Sequence, residues 1–143
     1  MDDYKRIDLG AFLARFLYPM FVVFATYNTS GYSFYHWVVD PVDEDIILKL
    51  IAGGMLGFAY YNIGEITALS LQRAGLLMVT IICSAAAWYV IDQEWIKIET
   101  REDLINAMQF TLVMIMAIGL SYAHIHYRIG GIKQVEDARA AGL

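Results

Sequence analysis

Three ionisable side chains interrupt the long apolar runs of this sequence, and their types are those best suited to chemistry. Arg15 lies about two turns into the first run, Glu65 near the end of the second and His124 near the end of the fourth. At a rise of about 1.5 Å per helical residue, all three reach a similar depth in a bilayer. A charge at that depth needs a partner or a route to water. We therefore expect a polar cluster of Arg15, Glu65 and His124, in which Arg15 pairs with Glu65.

Two simpler interpretations of these residues remain open. Arg15 and Glu65 can each act alone, with the arginine extending to the headgroups and the carboxylate facing the cytoplasmic boundary. His124 shares a predicted helix face with Ala117 and Ser121, and that small, polar stripe is explained by packing against protein. A proton relay or a ligand contact through His124 is the functional alternative, because histidine titrates near neutrality.

The sequence offers little support for a metal, haem, cysteine-pair or catalytic site. His124 and His126 are two positions apart, so they point to different sides of a helix and do not jointly hold one metal ion. His36 is expected on the opposite side of the membrane, which disfavours a bis-histidine haem. Cys83 is the single cysteine, so no cysteine pair exists. The sequence shows no phosphate loop, nucleophile elbow or catalytic triad pattern, and we predict no catalytic, metal or cofactor site.

The composition indicates which elements must position these residues. The chain has 143 residues, of which 59% are hydrophobic and 17% charged, and its mean hydropathy is +0.50. These values lie outside the usual range for a soluble domain. The net charge of −5 comes mostly from two short acidic segments, so no nucleic-acid partner is expected. The composition predicts an integral membrane protein.

Four apolar stretches predict an all-α, four-helix membrane bundle that forms a single domain. The predicted spans are residues 9–27, 44–70, 74–91 and 104–125, each near the roughly 20 residues needed to cross a bilayer. Asp40 before Pro41 is a favourable N-cap for the second span. Thr100 to Asp103 form a capping-box-like start for the fourth. Gly130 and Gly131 are expected to end the helix or let it bend, leaving a short cytoplasmic tail over residues 130–143.

The positive charges predict the orientation of the spans. They concentrate in the N-terminus, the middle connection and the C-terminus, at Lys5, Arg6, Arg73, Arg128, Lys133 and Arg139. With four crossings these three segments share one side, and the positive-inside rule makes that side cytoplasmic. The two opposite connections are rich in acidic residues. Both termini are therefore expected in the cytoplasm.

Two further groups of residues carry structural predictions. The connection between the first two helices is unusually aromatic and is expected to lie at the outer membrane interface, through Tyr32, Phe34, Tyr35 and Trp37. Small residues that allow close helix contact are Gly53, Gly57, Gly119 and Ala123. Such contact can form within one copy of the chain or between copies.

Part of the sequence resembles a known family. The segments that carry the resemblance are Phe12-Leu13-Ala14-Arg15-Phe16-Leu17, Thr26-Tyr27-Asn28-Thr29-Ser30-Gly31-Tyr32-Ser33, His36-Trp37 and Gly119-Leu120-Ser121-Tyr122-Ala123-His124-Ile125. They are similar to a family of small bacterial inner-membrane proteins that is classified only as a domain of unknown function. The resemblance implies a location in the bacterial inner membrane. It carries over no activity, cofactor or catalytic residue.

The leading functional hypothesis is a non-catalytic membrane subunit, which either self-associates or is an accessory to a larger complex. Its expected partners are membrane lipids together with further copies or other membrane subunits. The alternative is an ion or proton pathway that uses Arg15, Glu65 and His124. A haem or redox membrane enzyme is the least favoured hypothesis.

Overall fold

The protein is all α-helical over the residues that its computed structural model describes, which are 9–40 and 45–140, with side chains described as far as Ala123. The helices are α1 (Leu9–Thr26), α2 (Phe34–Val39), α3 (Ile46–Asp92) and α4 (Arg101–Ala140). The predicted all-α fold is confirmed. Lys5 and Arg6, on which part of the predicted orientation depends, lie outside the described residues.

Three of the helices are long and apolar enough to cross a membrane. They are α1, α3 and the part of α4 from Arg101 to Ala123. In each, the apolar window is only 6 to 17% buried inside the chain. Such a surface is stable in contact with lipid rather than with water. The chain is therefore a membrane protein, as its composition predicts.

Helix α3 consists of two helical segments joined at Gln72. This residue has φ 56° and ψ 178°, which interrupts the helical backbone. A positive φ is uncommon for a residue other than glycine and marks a local change of direction. We call residues 46–71 α3a and residues 73–92 α3b. The break falls beside Arg73, in the middle connection that the sequence assigns to the cytoplasmic side.

Contacts with α4 show that the chain reverses direction at this break. Ser70 at the end of α3a donates a hydrogen bond to the carbonyl oxygen of Gly119, at 2.9 Å. Twenty positions later, Val90 of α3b lines a groove together with Asn106 of α4. Asn106 lies about 20 Å before Gly119 along a helix with a rise of about 1.5 Å per residue. Therefore α3b runs antiparallel to α4, back toward the end at which α3a begins.

The small core lies where α1 and α3a pack on α4. Its buried apolar side chains are Val22, Val23, Ile63, Leu71, Val113 and Ala117. The buried residues of α3a are Ile63, Thr67 and Leu71, at intervals of four, so one narrow face of this helix meets the rest of the protein. The opposite face of α3a is left for lipid or another protein.

Three helix boundaries bear on the sequence predictions. Asp40 is the C-cap of α2, where its backbone N–H donates to His36 O, and not the N-cap of the next helix. The N-cap of α3 is Asp45, and Pro41 to Glu44 lie outside the described residues. The capping box at α4 is confirmed, since Asp103 N–H donates to Thr100 Oγ1 at 3.2 Å and Thr100 N–H donates to Asp103 Oδ2 at 2.9 Å.

The C-terminal prediction needs a correction. The backbone of α4 continues through Gly130 and Gly131 to Ala140, so these glycines do not end the helix. Glycine lowers helix stability by about 1 kcal/mol relative to alanine, but the residues on either side are good helix formers. Residues 141–143 of the predicted tail lie outside the described residues.

Candidate functional site

The connection after α1 is an ordered turn built around Asn28. Its Oδ1 accepts hydrogen bonds from Ser30 N–H at 3.1 Å and Ser30 Oγ at 2.6 Å. Its Nδ2 donates to Tyr32 O at 2.7 Å and to Phe24 O at 3.3 Å. Gly31 adopts φ 86° within this turn, a conformation that favours glycine. An asparagine bonded to nearby backbone groups closes the turn and aims the following helix.

Aromatic contacts fasten α2 to the end of α1. The rings of Tyr27 and His36 stack at 5.4 Å, and Tyr35 meets both rings edge-on at 5.5 Å and 5.6 Å. His36 Nδ1 lies 2.7 Å from Ser33 Oγ, within hydrogen-bond distance. These contacts hold the imidazole in one orientation.

The opposite side of α2 lies on α3a. A Cβ atom added to Gly53 would lie 3.0 Å from Phe34 Cζ, so the ring packs closely on the helix backbone. The Lys49 ammonium lies 5.8 Å from the centre of the Trp37 ring and donates to Asp40 O at 3.3 Å. A cation over an indole face is favourable, and more so away from water. Helix α2 is thus held between α1 and α3a.

Two amides of α4 complete this end of the molecule. Gln109 Nε2 donates to Tyr27 O at 2.6 Å, and Asn106 Nδ2 donates to Thr29 Oγ1 at 3.2 Å. The buried Gln109 Oε1 has no hydrogen-bond partner among the described residues. We call this assembly of the Asn28 turn, α2 and the two amides the outer cap.

Beneath the outer cap, an open groove of about 1020 Å³ separates α1 from α3a. Its walls are mainly apolar and include Phe21, Val22, Met55 and Phe58. Ser33, His36 and Asp40 lie at the capped end. Two further grooves, of about 570 Å³ and 690 Å³, flank the contact between α3b and α4. Grooves of this size and polarity accept apolar chains or side chains of another helix.

The structure does not join Arg15 to Glu65. Arg15 is half-buried on α1, whereas Glu65 is exposed on α3a, on the face opposite Ile63 and Thr67. No ion pair connects the two within the part of the chain that is described. His124 belongs to α4, but its side chain lies outside the described set. The expected cluster of all three residues therefore stays a prediction.

The four small residues singled out in the sequence have different surroundings. A Cβ atom on Gly119 would lie 2.6 Å from Thr67 Oγ1, so α3a and α4 approach closely at this point. Gly53 contacts Phe34, whereas a Cβ on Gly57 would meet nothing within 4 Å. Ala123 is half-buried.

The aromatic residues of the expected interfacial loop also differ in exposure. Tyr32 is 90% exposed and Tyr35 53% exposed, while Phe34 and Trp37 are half-buried against α3a. The loop contains helix α2, which the sequence analysis did not predict. Tyr32 and Tyr35 therefore present the aromatic surface that projects from the outer cap.

Several residues that shape this site were missed in the sequence. Asn28, Ser70 and Gln109 each bond to a backbone carbonyl, and His36 stacks on Tyr27. The signal available for the turn was the run of small polar residues and glycine from Thr26 to Ser33. Among the described residues, no group of three or more His, Cys, Asp or Glu side chains is placed to hold a metal ion.

Comparison with known proteins supports the resemblance seen in the sequence. Neither the curated proteins nor the solved structures gave a match. A family model matches residues 10–140, which covers α1 except Leu9, the other three helices and the whole outer cap. The chain belongs to a family of unknown function, DUF6524.

Proposed function

We propose that the protein is a non-catalytic integral membrane subunit that self-associates or serves as an accessory subunit of a larger membrane complex. The observation that carries this proposal is the exposure of α3, whose apolar window is only 6% buried. A helix that packs on its own chain along one narrow face leaves the remainder for lipid or for another protein.

We propose four membrane crossings, made by α1, α3a, α3b and α4, in a bacterial inner membrane with both termini in the cytoplasm. Residues 46–71 and 73–92 are each long enough to cross about 30 Å of hydrocarbon. The reversal at Gln72 and the positive charge of Arg73 support a cytoplasmic hairpin between them. The outer cap then lies at the opposite interface, where exposed tyrosines are favoured.

The exposed face of α3a offers the chemistry for association with a partner. Gly57, Gly64 and Ala68 are all exposed on it, and small residues allow close approach of another helix. Lipids are the proposed partners of the remaining apolar surface. Glu65 is the one feature of this face that lipid chains do not accommodate well.

The ion or proton pathway remains the alternative proposal, but no contact in the described residues favours it. Such a pathway needs Arg15, Glu65 and His124 to line a common route. Glu65 instead lies on the face opposite Ile63 and Thr67 and is exposed. A carboxylate on the perimeter is better placed to meet a neighbouring molecule.

Purification from native membranes tests the proposed function. The chain is tagged, expressed at its native level, cross-linked in the membrane and then solubilised mildly. We expect a species of defined stoichiometry that is larger than the 16.2 kDa monomer, with further copies or other membrane subunits identified by mass spectrometry. The same tag on an unrelated four-span protein is the control. A monomer that carries only lipid would contradict the proposal.

A further inference from the structure

We propose that the groove between α1 and α3a binds a phospholipid with a zwitterionic headgroup, whose ammonium group lies near Asp40 and whose acyl chain follows the apolar walls. This inference goes beyond the proposed association with a partner. It rests on the arrangement proposed above, in which the outer cap lies at a membrane interface.

The groove is accessible from the lipid around the protein. It lies between two helices that are long and apolar enough to cross a membrane. Its lining includes Phe21, Met55 and Phe58, which are 70%, 70% and 69% exposed, whereas Val22 is only 2% exposed. The exposed side chains form the rim and the buried one the floor. Because the rim faces hydrocarbon, an acyl chain enters the groove without passing through the protein.

The lining changes from apolar to polar toward the outer cap. The groove extends along residues 18–25 of α1 and 52–59 of α3a. Seven residues correspond to about 10 Å of helix, which is enough for the upper part of an acyl chain. The polar side chains Ser33, His36 and Asp40 all lie at the capped end. A phospholipid has the same order of polarity, since its headgroup lies at the interface and its chains point toward the middle of the bilayer.

The capped end carries one charge of each sign. Asp40 is exposed and lines the groove. Lys49 lies one turn before Ala52, another lining residue, and its ammonium donates to Asp40 O at 3.3 Å. A zwitterionic headgroup complements these two side chains, because its ammonium is attracted to the carboxylate and its phosphate to the lysine. An anionic headgroup without an ammonium group is attracted to the lysine only.

Aromatic side chains surround the same end of the groove. Tyr32, Phe34 and Trp37 all contribute to its lining. Aromatic rings with a polar edge favour the headgroup region of a bilayer, and the face of a ring attracts a cationic nitrogen. The capped end therefore offers an ammonium group both a carboxylate and an aromatic surface.

Helix α2 excludes a membrane-spanning helix as the occupant. It connects α1 to α3a across the outer end of the groove, through the stack of His36 on Tyr27 and the contact of Phe34 with Gly53. A spanning helix is about 10–12 Å wide and continues beyond the interface, where it would collide with α2. A phospholipid ends at the level of its headgroup and remains beneath this helix.

Fluorescence quenching by brominated lipids tests the site in liposomes. In a Trp88→Phe, Trp95→Phe background, Trp37 is the only tryptophan, and it lines the groove. Phosphatidylglycerol liposomes receive increasing fractions of phosphatidylethanolamine or phosphatidylglycerol that is brominated on its acyl chains. We expect phosphatidylethanolamine to reach half-maximal quenching at a fraction about three to five times lower, the selectivity that one partly exposed ion pair provides. Identical curves for the two lipids would overturn the inference.

Three substitutions and a control connect this preference to the groove. Asp40→Asn removes the charge and keeps the backbone N–H that caps α2, so the preference for phosphatidylethanolamine should disappear. Asp92→Asn, which removes an acidic charge outside the groove, should leave the preference unchanged. Ala59→Phe fills part of the groove and should weaken quenching by both lipids, whereas Ala68→Phe on the same helix should not. An unchanged preference in the Asp40→Asn chain would overturn the headgroup contact.

Photo-cross-linking identifies the occupant without relying on these variants. Benzoylphenylalanine replaces Met55, and adducts are weighed by mass spectrometry after illumination in native membranes and in liposomes with equal parts of phosphatidylethanolamine and phosphatidylglycerol. We expect phospholipid adducts in both, with phosphatidylethanolamine predominating in the liposomes. An adduct with another copy or another protein, or equal adducts with the two lipids, would contradict the inference.

The outcomes separate this inference from the proposed function. If the lipid preference is absent while native membranes yield a larger complex, the lipid site is wrong and the subunit role stands. If the preference depends on Asp40 but native membranes yield only a monomer, the lipid site stands and the subunit role is wrong.

Discussion

Gly119→Ala is expected to destabilise the packing of α3a on α4 by about 1–3 kcal/mol, the range for overpacking a close contact. An added Cβ would lie 2.6 Å from Thr67 Oγ1 and 2.8 Å from Thr67 Cβ. Thr67 is only 5% exposed, and its Cβ cannot move without its backbone. The helices must therefore separate, which also stretches the hydrogen bond from Ser70 Oγ to Gly119 O, now 2.9 Å long.

Reversible unfolding in mixed micelles, followed by circular dichroism, measures this loss. Gly57→Ala is the matched control, because a Cβ there meets nothing within 4 Å and alanine has the higher helix propensity. Thr67→Ala removes the γ atoms and should restore part of the stability of the Gly119→Ala chain. Equal stability of the Gly119→Ala and Gly57→Ala chains would show that the close approach at Gly119 is not a feature of the folded protein.

Asn28→Ala is expected to release α2 from its place over the groove, with a loss of about 1–3 kcal/mol for local opening of the outer cap. The substitution removes four hydrogen bonds, to Ser30 N, Ser30 Oγ, Tyr32 O and Phe24 O. Each net contribution is about 0.5–1.5 kcal/mol, but the exposed members of the set recover bonds to water. Asn28→Asp keeps the acceptor and loses the donor, so its effect should be intermediate.

Tryptophan fluorescence follows this opening in a Trp88→Phe, Trp95→Phe background, where Trp37 is the only tryptophan. Release of α2 moves the half-buried indole away from α3a, and its emission should shift to longer wavelength. Hydrogen exchange over residues 29–39 should increase in parallel. Emission and exchange that match those of the unmodified chain would mean that Asn28 does not hold the turn.

The helical membrane fold was predictable because hydrocarbon leaves few choices to the chain. In hydrocarbon every backbone polar group must be hydrogen-bonded within the protein, and charged side chains are excluded. A long uncharged run in the sequence therefore predicts a membrane helix. The break at Gln72 coincides with polar residues between two such runs. The helix over Gly130 and Gly131 was mispredicted because glycine marks a helix end only when the following residues favour leaving the helix.

The outer cap was less predictable because its bonds join distant parts of the chain. Gln109 bonds to the backbone carbonyl of Tyr27, 82 positions earlier. Because every residue has a backbone carbonyl, the sequence does not indicate which one accepts this bond. The contacts of small residues are equally hard to predict from the sequence. Gly53 and Gly119 lie against other side chains, while Gly57 faces open space, and the sequence alone does not distinguish them.

Depth in the membrane was easier to estimate than the direction of a side chain. Counting residues places Arg15 and Glu65 near one level, and this led to the expectation of a pair within one chain. That pair stays a prediction, because no contact among the described residues joins the two side chains and Glu65 lies on the face of α3a opposite Ile63 and Thr67. That orientation depends on which side of α3a packs on α4, and in a helix that is apolar all round no sequence pattern reveals it.

Cysteine labelling of intact cells tests the four-crossing arrangement on which every proposal depends. In a Cys83→Ser background, single cysteines are placed at each terminus, at Ala74 beside the Gln72 break and at Glu99 in the connection before α4. We expect a membrane-impermeant maleimide to label the Glu99→Cys chain from outside, and the other three only after the inner membrane is opened. Labelling of Ala74→Cys from outside, or of one terminus without the other, would contradict the arrangement.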